Sequence, residues 1–125
     1  MTLLYPELSK TIYDCAFEVH KHLGPGLLES AYEACLEKEL QEAGIDVERQ
    51  KSIPVSYKGV QLEAGYRLDL FVDQKVIVEL KSVDAIHPLH TAQLMTYLKL
   101  AKCRLGFLIN FNVMLLKDGI KRYVL

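Results

Sequence analysis

Gly65-Tyr66-Arg67-Leu68-Asp69-Leu70-Phe71-Val72-Asp73-Gln74-Lys75-Val76-Ile77-Val78-Glu79-Leu80-Lys81 decides the fold. Side chains of a strand alternate faces with period two. Tyr66, Leu68, Leu70 and Val72 form one apolar row; Val76, Val78 and Leu80 form another. The rows share a face only if the loop between them has an odd number of residues. A three-residue loop, Asp73-Gln74-Lys75, pairs Val72 with Val76. It then sets Asp69 opposite Glu79 and Arg67 opposite Lys81. A two-residue loop would put one apolar row in water, and register is strongly specified where one face is buried.

Directly opposed strand residues have Cβ atoms about 4.5–5.5 Å apart, and like charges that close are unfavourable. Buried carboxylates are costly unless paired or metal-bound. Asp69 and Glu79 beside Lys81 therefore suit a hard divalent cation and a scissile phosphate. The plainer alternative is the polar outer face of an amphipathic hairpin.

The rest of the chain reads outward from this hairpin. A first helix starts at Pro6, a residue suited to the first helical position. Leu8, Ile12, Cys15, Ala16, Val19 and Leu23 recur at helical spacing, and Gly24-Pro25-Gly26 ends it. A second helix runs from about Leu28 to Ala43, with Gly44 as its stop. Val47 to Tyr57 is extended, with Pro54 marking an edge or bulge. Lys58-Gly59 turns the chain into Val60-Gln61-Leu62. After the charged hairpin come a helix from Pro88 to Lys102 and a short buried strand, Leu105 to Ile109. Val113–Lys117 and Ile120–Val124 read as a closing hairpin around Asp118-Gly119. The order predicts an α/β or α+β domain with one central mixed sheet flanked by helices. No linker, repeat or low-complexity segment divides residues 1–125, so one domain is expected.

Composition narrows the function. Half the residues are hydrophobic and a quarter charged, as in an ordinary globular protein. The net charge of −1 gives no global basic signature, so any nucleic-acid role must rest on local charge, a metal ion or a partner. Cys15, Cys35 and Cys103 have neither zinc-ligand spacing nor a disulfide pattern. No segment has signal-peptide composition or the length of a membrane span, and a cytoplasmic protein with reduced thiols is expected. There is no glycine-rich phosphate loop and no nucleophile elbow.

These residues resemble a known family. The order helix, three-stranded meander, helix, strand is similar to the restriction-endonuclease-like core of the PD-(D/E)xK nuclease superfamily. Asp69 and Glu79-Leu80-Lys81 resemble its signature, although Leu68 stands where the superfamily's name has proline. Gly26-Leu27-Leu28-Glu29-Ser30-Ala31-Tyr32 reads as GxxExxY, the name of a small group within that superfamily. Val78–Val83 and Gln93–Leu98 resemble that group's later blocks, so the likeness covers roughly residues 10 to 112.

The resemblance implies a nuclease needing Mg²⁺ or Mn²⁺ and acting on nucleic acid, DNA foremost. It implies that Asp69 and Glu79 hold the metal, with Glu29 adding a third acid from the first core helix. Lys81 would position the attacking water or stabilise charge developing on phosphate. Gln93 and Tyr97 would form a substrate-binding QxxxY pair. Arg67, from its expected place opposite Lys81, is a candidate phosphate contact.

Each of these has a plainer reading. Glu29 favours a helix N-terminus through the dipole, and Tyr32, three residues on, suits the core. Tyr97 could be core and Gln93 surface. His87 and His90 form HxxH, but Pro88 marks a helix start there, and a role in helix entry is expected rather than metal ligation. His20 could face the site from the first helix. The functional alternatives are a non-catalytic nucleic-acid-binding or assembly module on the same fold, and a hydrolase of small phosphoesters. A domain this small would engage two strands more readily as a homodimer or with a larger protein partner.

Overall fold

The computed structural model describes residues 4–63 and 65–125. Two helices lead, α1 (Pro6–Leu23) and α2 (Glu29–Glu42). Strands β1 (Val47–Ser52), β2 (Val55–Tyr57), β3 (Val60–Leu62), β4 (Arg67–Val72) and β5 (Val76–Lys81) follow. Helix α3 (Pro88–Ala101) then crosses to β6 (Leu105–Asn110), and β7 (Ile120–Val124) closes the chain. The main sheet has the order β1-β4-β5-β6-β7, with β5 and β6 parallel and the other pairs antiparallel. A parallel pair needs a crossover, and α3 supplies it.

Layering follows from alternation. Val76, Val78, Leu80, Leu105, Phe107 and Ile109 pack with Ile12, Tyr32, Leu36 and Leu40 of α1 and α2. Ile77 and Leu108, one residue out of phase, pack with Leu94, Tyr97 and Leu98 of α3. The two central strands are thus covered on both faces, which is why they read as unbroken apolar runs. Gly106 lets α3 approach: a Cβ there would lie 2.9 Å from Leu94 Cδ1 and 3.4 Å from the Ile77 carbonyl.

The hairpin forms with the expected loop. Val72 pairs with Val76, Phe71 with Ile77 and Leu70 with Val78, leaving Asp73-Gln74-Lys75 as the turn. Three expectations need correction. First, the apolar row of β4 is split. Leu70 and Val72 join the α1/α2 core, Leu68 joins the α3 cluster, and Tyr66 is 47% exposed. The cause lies on β1, where Gln50 has φ 55 and drops out of the ladder between Arg49↔Leu70 and Lys51↔Leu68. Asp69 sits at that break, so the faces switch there.

Second, the β4–β5 pairing that would set Arg67 opposite Lys81 is not formed; on their other sides Arg67 pairs with Ser52 of β1 and Lys81 with Asn110 of β6. The β4–β5 ladder stops at Leu70↔Val78, because beyond it carboxylates take over the backbone donors. Third, residues 113–117 are not a strand. Leu116–Asp118 forms a 3₁₀ turn that buries Leu116 beneath the α1/α2 face, and β7 pairs directly with β6.

The extended run from Val47 is also broken at Ile53-Pro54. Beyond it β2 leaves the main sheet and pairs only with β3, through a two-residue turn whose Lys58 and Gly59 both have positive φ.

Candidate active site

The site begins where the β4–β5 ladder ends. The Asp69 backbone N–H donates to Glu79 Oε2 at 2.8 Å, and the Leu80 N–H donates to Asp69 Oδ2 at 2.9 Å. Each acid therefore occupies a backbone donor on the other's strand. Glu79 is 5% exposed and Asp69 half-buried. Burial, reinforced by the Asp69 charge, pushes the Glu79 carboxyl up to about 8. Burial also raises Asp69, against the pull of the Leu80 N–H. Lys81, half-buried at the end of β5, lowers both with its positive charge, but less than burial raises them.

Two further acids reach this pair from α2. Glu29 is exposed at the first position of the helix, and its charge raises Asp69. Tyr32 anchors the loop that leads into the helix. The Tyr32 hydroxyl donates to the Gly24 carbonyl (2.6 Å) and accepts the Leu27 N–H (3.1 Å), while its ring stacks on Phe111 at 4.5 Å. Ser82 Oγ, one residue past Lys81, donates to the Leu27 carbonyl at 2.6 Å. The loop leading into α2 is thus tied to the end of β5.

Glu33, one turn further along α2, was not singled out in the sequence. It is buried, accepting from Arg49 Nε at 3.0 Å and from Gln50 Nε2 at 2.5 Å. The same Gln50 amide lies 3.4 Å from Asp69 Oδ1. Gln50 thus links Glu33 to Asp69, while the Glu33 charge raises both Asp69 and Glu79. The available signal was the i, i+4 spacing of Glu29 and Glu33 on one helix face. Asn110 was missed as well. It is buried beside Lys81 and bonds the Val83 N–H, the Val83 carbonyl and the Asn112 N–H, fixing the loop after β5.

Gln93 and Tyr97 line one cavity of about 380 Å³ with Val55, Tyr66, Thr96 and Leu100. Tyr97 is raised by burial and then by the charges of Glu79 and Asp69, so its hydroxyl belongs to the electrostatic field of the acids. Arg67 is exposed at the start of β4. His87 caps α3, accepting from the Leu89 N–H at 3.1 Å, while His90 Nδ1 accepts the His87 N–H at 3.0 Å. His20 donates to the Val113 carbonyl at 2.8 Å and lies against Phe111.

The donor set can be tested against a metal ion. Among the described residues no group of three or more His, Cys, Asp or Glu side chains is placed to hold a metal ion. Mg²⁺ does not require one: it keeps several waters and is bound through one or two carboxylates plus substrate phosphates. Asp69 and Glu79 offer hard oxygens held together against their own repulsion. Among the described residues Ser9 Oγ is the one buried side-chain oxygen without a partner, so neither acid has an oxygen sealed away unsatisfied. The residues fit a hard divalent cation. Among the described residues no helix is long and apolar enough to cross a membrane.

The family model of the PD-(D/E)XK nuclease superfamily matches residues 6–123. Nucleases of that superfamily generally use divalent metals. No curated protein and no solved structure matches this chain.

Proposed function

The chain belongs to the PD-(D/E)XK nuclease superfamily, and from that premise we propose that it is a divalent-metal-dependent nuclease hydrolysing phosphodiester bonds, those of DNA foremost. The block from Gly26 to Tyr32 supports assignment to the GxxExxY group. The observation that carries the reading is the reciprocal clasp of Asp69 and Glu79 with the Lys81 charge beside it.

In this reading Asp69 and Glu79 hold Mg²⁺ or Mn²⁺, and Glu29 reaches it directly or through water. When bound, the cation polarises the scissile phosphate and lowers the pKa of a water. Lys81 orients the attacking water or neutralises charge as it develops on the phosphoryl oxygens. Gln93 and Tyr97 contact the substrate, and the exposed Arg67 serves the phosphate backbone. A homodimer or a larger protein partner would supply a second strand's worth of contacts.

The test is metal-dependent cleavage by the wild type and its loss in Asp69→Ala. Cleavage retained in Asp69→Ala sinks the assignment. The net charge of −1 favours a second reading, a non-catalytic nucleic-acid-binding or assembly module. Melting with and without Mg²⁺ separates the two. A ligand that binds only the folded state raises Tm by mass action, and Glu79→Ala should remove the rise.

A further inference from the structure

Tyr66 is an exposed aromatic that the catalytic reading leaves unused. It stands just before β4 with 47% of its surface exposed, and its ring lies 6.5 Å from that of Tyr97 at 56°. It borders two cavities. One, of about 380 Å³, has Gln93, Thr96 and Tyr97 on its wall and Val55 and Leu100 as apolar lining. The other, of about 390 Å³, runs along Ile53, Pro54 and Leu62.

We propose that the cavity between Tyr66 and Tyr97 is a nucleobase subsite, and that the substrate is single-stranded or locally unpaired nucleic acid. The inference rests on the nuclease reading and deepens it. The exposed Tyr66 ring on a partly apolar cavity, with the largely buried Tyr97 as part of its wall, suits stacking on an unpaired base, and such stacking is tolerant of base identity because every base has a π-face. Gln93 supplies both a donor and an acceptor for a base edge, and the Thr96 hydroxyl can do either. The net charge of −1 gives no global attraction for phosphate, so base stacking would add to what local charge and a metal ion supply, and bases are open to stacking only where they are unpaired.

The test is equilibrium binding of a dye-labelled oligothymidylate in EDTA. It is compared with an abasic strand of equal length and with a duplex, for wild type, Tyr66→Ala, Tyr66→Phe and Gln93→Ala. The expected result is tightest binding of oligothymidylate, about tenfold or more weaker binding by Tyr66→Ala, and near wild-type binding by Tyr66→Phe. Equal binding of the abasic strand, tighter binding of the duplex, no binding by wild type, or full affinity in Tyr66→Ala each overturns the proposal. The Mg²⁺-induced rise in Tm, measured on the same proteins, reports the carboxylate site separately. Absence of that rise in wild type with base-dependent binding intact would fail the nuclease reading, and with it the substrate assignment, leaving only a base-binding cavity.

Discussion

Asp69 and Glu79 hold each other through the backbone: the N–H of Asp69 is bound by the Glu79 carboxylate at 2.8 Å, and the N–H following Glu79 is bound by the Asp69 carboxylate at 2.9 Å. Two acids that should repel are thereby fixed side by side. Either a proton or a cation must offset their charge, and the choice between them depends on pH.

Glu79 holds its proton up to about pH 8 when folded, against an ordinary value of 4.5. Between those values the folded state carries the extra proton. Without metal, the contribution of Glu79 to stability is therefore full below about 4.5 and is lost as pH rises to about 8. The slope approaches about 1.4 kcal/mol per pH unit for one proton. Urea denaturation of wild type and Glu79→Gln across this range checks it. The variant should lose most of the slope and be the more stable protein at high pH.

Metal binding should show the converse dependence, because a cation displaces the proton from Glu79. Calorimetry with Mn²⁺ should give tighter binding at pH 8.5 than at pH 6, with protons released to buffer at the lower value. Equal affinity at both would place the ion elsewhere.

Gln50 adopts φ 55 without being glycine, a strained backbone that persists only when its surroundings hold it. Glu33 does the holding. Glu33→Ala removes the closest acceptor of both Arg49 and Gln50 and should cost about 1–3 kcal/mol. Gln50→Ala breaks the same hydrogen bond and should cost a similar amount, with kcat falling further than that loss explains because Asp69 loses its Gln50 contact.

Tyr32→Phe removes the hydroxyl bonded to Gly24 and Leu27 while keeping the stack on Phe111. A loss of about 1 kcal/mol is expected. Cleavage should fall further than that stability change explains, because Glu29 follows directly on this loop. Gly106→Ala is the control: overpacking against Leu94 should cost about 1–3 kcal/mol and leave Mn²⁺ affinity unchanged.

Much of this was legible in the chain. The odd loop followed from alternation alone, since only it puts Val72 and Val76 on one face. The helix bounds were marked by Pro6, the Gly24-Pro25-Gly26 run and Pro88. The face switch at Leu68 was not legible, because it arises from Gln50 on another strand and no local pattern marks a left-handed glutamine. Glu33 was hidden for a related reason: an acid four residues after another on a helix looks like a solvated face until β1 covers it. The segment 113–117 misled because Val113 and Leu116 are core residues of a turn, and short apolar runs do not declare their period.

Cleavage of labelled linear duplex, single strand, branched junction and RNA, each with Mg²⁺, Mn²⁺ or EDTA, tests the central claim most directly, with wild type beside Lys81→Ala. The account predicts cutting that needs the metal, disappears in Lys81→Ala, and favours substrates with unpaired bases. Cutting that persists in EDTA or in Lys81→Ala would contradict it.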